Sequence, residues 1–374
     1  MIKKILIVGQ FEKAVLDRDV LKLVITILLL FISYCCYSQN DSISKIRLSG
    51  YLETYYSYDF SNPFNNEKPD FNYNYKKHNQ LNINLAFIKA SFQNKQLRSN
   101  LALMTGNYAM YNLSAEPNLA KPLLEANVGY KPFKDHNFWI DAGVMPSHIG
   151  FESAIGSDCW NLTRSILAEN SPYYETGLKF SYNNKKQDLY FAFHFLNGWQ
   201  KIELSQLNQK PSVGAQITYK TGNALTLNYS NFIGNIKLGD LKKLRTFHNL
   251  YGIYEATPKL SFIFGFDIGT QKGVGTKTQV WYTPVVISKI NLSDKSKIAG
   301  RLEYYNDKDQ VIIATSTTNG YQTLGASINY DYQIAPKVMF RSELKKYRSK
   351  DPIFRYTDGS NNQTAATMAF IVKL

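Results

Sequence analysis

The sequence predicts an all-β fold: a transmembrane, antiparallel, up-and-down β-barrel of about 16 strands, or 14 if one loop-flanking pair is misjudged. Three observations predict it. Short runs alternate strictly, as in "KIAGRLEYYNDKDQ" at 297–310, where Ile298, Leu302 and Tyr304 take one parity and Arg301, Glu303 and Tyr305 the other. The connections between such runs alternate in length, long then short. The last run, "ATMAFIVKL", reaches Leu374, as a strand that closes on the first one would. Aromatics make up 14% of the 374 residues, with 27 Tyr and 22 Phe, so strand-formers are abundant. No internal segment approaches the ~20 apolar residues of a spanning helix.

Taken from the N-terminus, residues 1–38 read as a signal peptide with an over-extended start. Arg18 and Lys22 precede the apolar run Leu23–Ile32, which is too short to span a bilayer comfortably. Cleavage is expected near Ser38–Gln39, leaving 39–45 as a short periplasmic leader and 46–374 as the barrel. Acylation at Cys35 or Cys36 is disfavoured by the bulky Tyr34 and by Cys35 preceding Cys36. The mature chain keeps only Cys159, so no intrachain disulfide framework exists. Of the net charge of +14, the leader's five cations and three anions account for +2, leaving +12. The charge is spread along the chain and forms no arm, which argues against nucleic acid and for lipid headgroups or anionic solutes.

The strands follow in order. Runs at 46–59 and 80–92 flank a long segment, and "QNKQ" at 93–96 turns into the run 97–108. The run 123–130 turns through "KPFKDHN" into 138–145, which leads into the longest loop, 146–172. Strands at 173–182 and 188–197 flank "NNKKQ"; those at 212–220 and 224–232 flank the tight turn "TGN". After a loop, 244–256 and 260–271 surround "TPK", and 279–290 and 297–307 surround "NLSDKS". The runs 320–330, 338–348 and 363–374 complete the set, with "DYQIAPK" ending at 337. Long loops fall on one end and short turns on the other. A soluble sandwich has no reason to sort its connections this way.

Parity assigns faces. Leu48, Leu52 and Tyr56; Leu81, Ile83, Leu85 and Phe87; Leu189, Phe191, Phe193 and Phe195; and Leu260, Phe262, Phe264, Phe266 and Ile268 are expected against lipid. The opposite parity collects Arg47, Glu53, Arg98, Asn100, Glu125, Asn127, Asp141, Glu175, Lys179, Asp267, Arg301, Glu303, Arg341, Glu343 and Lys345. Charges cost several kcal/mol against lipid and little in a wet lumen, so these are expected to line a pore. Each is also open to a purely structural reading, as a rung of a cross-strand ion-pair ladder. The run 244–256 shows no clear parity.

Loop 146–172 invites more. Ser157 or Asp158 can cap a short helix carrying Trp160, Leu162, Ile166 and Leu167, ended by Asn170 and Pro172. Folded inward, it would place Trp160 and Arg164 at a constriction; folded outward, it would cap the mouth and never meet solute.

Five segments also carry a resemblance: "DAGVMPSHIGFES" (141–153), "SPYYETGLKFSY" (171–182), "LNGWQKI" (196–202), "FGFDIGTQK" (264–272) and "RLEYYNDKDQ" (301–310). In this order and spacing the chain resembles the OmpL-like β-barrel porin family of Bacteroidetes-type outer membranes. The resemblance implies a diffusion channel in the bacterial outer membrane. It implies no particular solute and no catalytic residue.

No catalytic residue, cofactor or metal is expected. The five histidines are scattered singly, without zinc-ligand spacing. "GVGTKT" at 273–278 lacks the order of a phosphate loop and joins two strands where such a loop needs a helix. Three functions compete. The first is a passive porin for small hydrophilic solutes or ions, with a slight anion preference from the basic balance. The second is a plugged docking barrel that presents its loops to a partner. The third is an outer-membrane hydrolase using His194. The expected partners are outer-membrane lipid and small solutes, with a homo-oligomer allowed.

Overall fold

The computed structural model describes residues 46–204, 210–222, 224–238, 241–272, 277–354 and 359–374. The expected leader at 1–38, residues 39–45, and all but the last two residues of "GVGTKT" lie outside them. Sixteen strands form one closed, antiparallel barrel in which each pairs with its neighbours in sequence. They are β1 (Arg47–Asp59), β2 (Leu81–Gln93), β3 (Leu97–Thr105), β4 (Leu123–Tyr130), β5 (Phe138–Pro146), β6 (Tyr174–Asn183), β7 (Leu189–Leu196) and β8 (Ser212–Thr221). Then come β9 (Leu225–Leu238), β10 (Leu241–Glu255), β11 (Leu260–Lys272), β12 (Thr278–Asn291), β13 (Ser296–Asp307), β14 (Tyr321–Ala335), β15 (Val338–Ser349) and β16 (Asn362–Lys373). Closure runs from Tyr51 opposite Lys373 to Asp59 opposite Ala365, so neither terminal strand leaves an unpaired edge for lipid to meet. No helix among the described residues is long and apolar enough to cross a membrane.

The alternation works as the parity argument requires. On β11, Phe264 and Phe266 are exposed to the outside while Ile263 and Asp267 are buried inside, and on β7 Phe191, Phe193 and Phe195 face out while Ala192 and His194 face in. One assignment is corrected. On β2, Leu81 and Ile83 face outward, but Leu85 is fully buried and Phe87 stacks on the inward Tyr51, ring centroids 5.4 Å apart. The cause is a β-bulge. Glu53 is opposite Leu85 and Thr54 opposite Ile83, so Asn84 is an extra residue that flips the parity of everything after it. The bulge sits tightly against the end of β3: a Cβ on Gly106, whose φ is +114°, would lie 2.6 Å from the Asn84 carbonyl oxygen.

Two boundaries also differ. The expected loop at 233–243 is mostly strand, because β9 runs to Leu238 and β10 starts at Leu241, with only two residues between them. Long connections therefore do not fill the loop end all the way round. β10 does alternate, with Arg245, Phe247 and Asn249 buried inside and Leu244, Leu250 and Tyr254 outside. Its pattern was illegible because an inward Phe247 and an outward His248 reverse the usual chemistry of the two faces.

Candidate functional site

A segment buried inside a tube has no ladder to satisfy its N–H and C=O groups, so the wall must supply partners. The loop between β5 and β6, residues 147–173, folds inward and meets that requirement on one side of the barrel. Every residue from Asn161 to Glu175 is buried. The loop's helix, α1 (Ile166–Glu169), is a single turn; its cap is Ser165, whose Oγ accepts from the Ala168 N–H. The expected cap at Ser157 or Asp158 is corrected: these belong to a separate 3₁₀ turn, Gly156–Asp158, and Trp160 and Leu162 lie on no helix.

Charges on β13–β15 take up this loop's backbone. Arg301 donates to the Thr163 carbonyl at 2.7 Å and to Glu343 at 3.0 Å. Glu343 accepts from the Thr163 N–H, and Glu303 accepts from the Ile166 N–H, both at 2.5 Å. Arg341 donates to the carbonyls of Gly156 and Cys159 at 2.6 and 3.0 Å while holding Asp331 at 2.7 Å. Lys345 donates to the Arg164 carbonyl at 2.8 Å. Arg301, Glu303, Arg341, Glu343 and Lys345 are therefore buried under the loop and do not face water.

The two residues expected at a constriction sit differently. Arg164 is fully buried and folds back on its own loop, donating to the carbonyls of Ser153, Leu162 and Ala154 at 2.7, 2.8 and 3.1 Å. Trp160 is half-buried, with the Lys289 ammonium 4.1 Å from its ring centroid. Glu53 lies beneath the first long loop, accepting from Tyr75 and Asn84, each at 2.9 Å. Asp267 is buried and accepts from Asn249. Arg47 is exposed at the turn end.

The wall from β2 to β6 is different. Here Arg98, Asn100, Glu125, Asn127, Asp141 and Lys179 border a cavity of about 400 Å³ at the turn end. Arg98 binds Asp141 at 2.6 Å and lies over the Trp139 ring, 4.3 Å from its centroid. Lys179 approaches Asp141 to 3.6 Å, and Asn100 donates to Asn127 at 3.0 Å. Lys89, which the sequence reading missed, binds Glu125 at 2.7 Å. Its parity was hidden by the bulge at Asn84. A second cavity, about 200 Å³, lies between this wall and the loop, bordered by Glu125, Pro146, Phe151 and Tyr174. A third, about 440 Å³, opens at the loop end beside Phe71, Ile313 and Phe354.

Glu175 leaves both groups. It is buried between His148 of the loop and His194 of β7, with a ring nitrogen of each within 2.6 and 2.8 Å of its carboxylate. Sequence spacing could not have found this trio, since one member comes from a loop and two from adjacent strands.

Comparison with known proteins agrees with this architecture. The family model described as "Putative beta-barrel porin-2, OmpL-like" matches residues 45–374. Curated protein sequences give no match. Solved structures that resemble the chain include an anion-selective porin from Comamonas acidovorans, with TM-score 0.61 and 9% identity over 89% of this chain and 100% of that one. The outer membrane channel DcaP of Acinetobacter baumannii gives TM-score 0.56 and 12% identity, covering 90% and 99%. OmpF of Salmonella typhi gives TM-score 0.55 and 12% identity, covering 88% and 98%. At such identities these likenesses concern the fold.

Proposed function

The chain belongs to the OmpL-like β-barrel porin family, an integral barrel of the outer membrane, and from that premise we propose a passive channel for small hydrophilic solutes whose path runs along the β2–β6 wall, beside the seated loop. The observation that carries this reading is an asymmetry within the ion pairs of that wall. The side chains of Lys89, Arg98 and Lys179 are 25, 29 and 23% exposed, whereas their partners Glu125 and Asp141 are 9 and 4% exposed. Of the ion-paired residues, Arg98 and Lys179 both line the cavity and are its more exposed members. The carboxylates, lying behind, screen them only in part. A path of that kind favours anions slightly. The overall basic balance is weaker support, because lysines such as Lys185, Lys186 and Lys259 lie in turns.

The test is ion conduction by the purified barrel in a planar bilayer under an asymmetric KCl gradient. A steady conductance with a reversal potential of the anion-selective sign is expected. Replacing Lys89, Arg98 and Lys179 together by glutamine should carry that potential to zero or past it. A cation-selective wild type would refute the assignment of the path.

A second reading has its own observation. The loop fills the lumen against β13–β15 through nine hydrogen bonds, among the described residues, of wall side chains to its backbone, as a plug would. A correctly folded barrel that shows no conductance would favour a plugged docking barrel. In either case we read His194 as part of the cluster with His148 and Glu175, not as the base of a hydrolase.

A further inference from the structure

We propose that His148, Glu175 and His194 bind one divalent transition-metal ion, of the class that imidazole nitrogen prefers, and that this ion fastens the inward loop to the β6–β7 wall. The three donors come from different elements: His148 from the loop just past β5, Glu175 from β6 and His194 from β7. Their ligand atoms all lie within 4.8 Å of one another.

Hydrogen bonding fixes how His148 presents itself. Its Nε2 is 2.8 Å from the Asn231 carbonyl oxygen, which can only accept, so Nε2 carries a hydrogen. In the neutral ring, Nδ1 then directs a lone pair at Glu175 Oε2, 2.6 Å away. A lone pair so close to a carboxylate is repulsive unless a cation lies on it. That cation is a second proton or a metal ion. A backbone carbonyl behind a histidine is also the usual device for orienting a metal ligand.

His194 decides between the two. Its Nδ1 lies 2.8 Å from Glu175 Oε1, and neither ring nitrogen makes a well-formed hydrogen bond although the residue is 1% exposed. A proton shared between His148 and Glu175 leaves that deficit standing, and a buried unsatisfied polar group is destabilising. A metal ion relieves the deficit in part, because it takes one of the two unpartnered His194 nitrogens together with a nitrogen of His148 and an oxygen of the carboxylate. Lys179, opposite His194 in register, turns to Asp141 and does not neutralise Glu175.

The site has room to adjust. Ligand bonds of ~2.0–2.2 Å require the donors to open to roughly 3.3 Å apart, so the two stacked rings, 4.1 Å between centroids and 21° from parallel, must splay. Turning the His194 ring breaks no hydrogen bond. The wall behind is cut away for the other ring: a Cβ at Gly214 would lie 2.6 Å from His148 Nε2.

The test uses tag-free, folded barrel stripped with a chelator and then equilibrated with Co²⁺ or Zn²⁺. About one equivalent per chain is expected by elemental analysis, with visible Co²⁺ absorption and a raised unfolding temperature. His194→Ala and Glu175→Gln should abolish the stoichiometric uptake, while His136→Ala, on an exposed turn, should keep it. The wild type alone suffices to overturn the proposal. Uptake below about a tenth of an equivalent at micromolar free metal, by barrel shown to be folded through its heat-modifiable migration, would mean that the cluster is bridged by a proton. Equal uptake by His194→Ala would place the metal elsewhere. Both readouts are independent of conductance, so the outcome stands apart from the channel reading.

Discussion

The β13–β15 wall and the β2–β6 wall obey the same alternation and carry the same residue types, yet they do opposite work. On the first, Arg301, Glu303, Arg341, Glu343 and Lys345 are buried and spend their hydrogen bonds on the backbone of loop 147–173. On the second, Lys89, Arg98 and Lys179 pair with Glu125 and Asp141, and the last four of these residues border the 400 Å³ cavity. The difference teaches that a charge at lumen parity is defined by what fills the lumen beside it. Water leaves it free for solute; an inward loop turns it into an anchor.

The largest expected effect comes from breaking an anchor. Arg301→Ala removes the nearest cation from the buried Glu303 and Glu343, leaving only the more distant Lys345, and should cost roughly 3–5 kcal/mol, read as unfolding in detergent. Lys179→Ala on the other wall should cost under about 1 kcal/mol. Equal costs would erase the distinction between the walls.

Next in size is removal of the loop. Deleting 155–170 opens the anchored side and should raise conductance several-fold while weakening anion preference, since the path is then no longer confined to the cationic wall. Unchanged conductance would mean that the loop does not restrict the lumen.

The sequence carried much of this architecture. The sixteen strands were legible from turn chemistry and, except on β10, from period, because a charge misplaced on the lipid face is costly and the pattern is enforced. The inward parity of Arg301, Glu303, Arg98 and Asp141 was equally legible. Their different environments were not, since nothing in a strand reports which loop will lie against it. Leu85, Phe87 and Lys89 were misassigned or missed because one extra residue, Asn84, inverts a strand without leaving a mark on its composition. Ser165 was overlooked as a cap because four helical residues leave no period to detect. His148, Glu175 and His194 were invisible as a group because only the closure of β5, β6 and β7 brings them together.

The smallest effect belongs to the loops themselves. Hydrogen bonds from the Asn319 side chain and backbone to Asp351 hold that carboxyl below the ordinary aspartate range and tie the loop before β14 to the loop after β15. A depressed folded value contributes stability above the unfolded pKa of ~3.9 and loses it as pH falls through the folded one. Amide exchange at 317–320 should therefore quicken, after correction for intrinsic rates, as the pH falls below about 4. Asp351→Asn should remove that step.

Thiol accessibility compares the walls most directly. Cys159, the only cysteine among the described residues, is buried, so in barrel lacking residues 1–38 an introduced cysteine reports alone to a negatively charged methanethiosulfonate added to a conducting channel. Lys179→Cys, beside the 400 Å³ cavity, should react within seconds and cut the current. Thr367→Cys, inward on β16 and buried, should leave the current unchanged. Block at 367 and none at 179 would contradict the account, because solute would then pass where the loop is anchored.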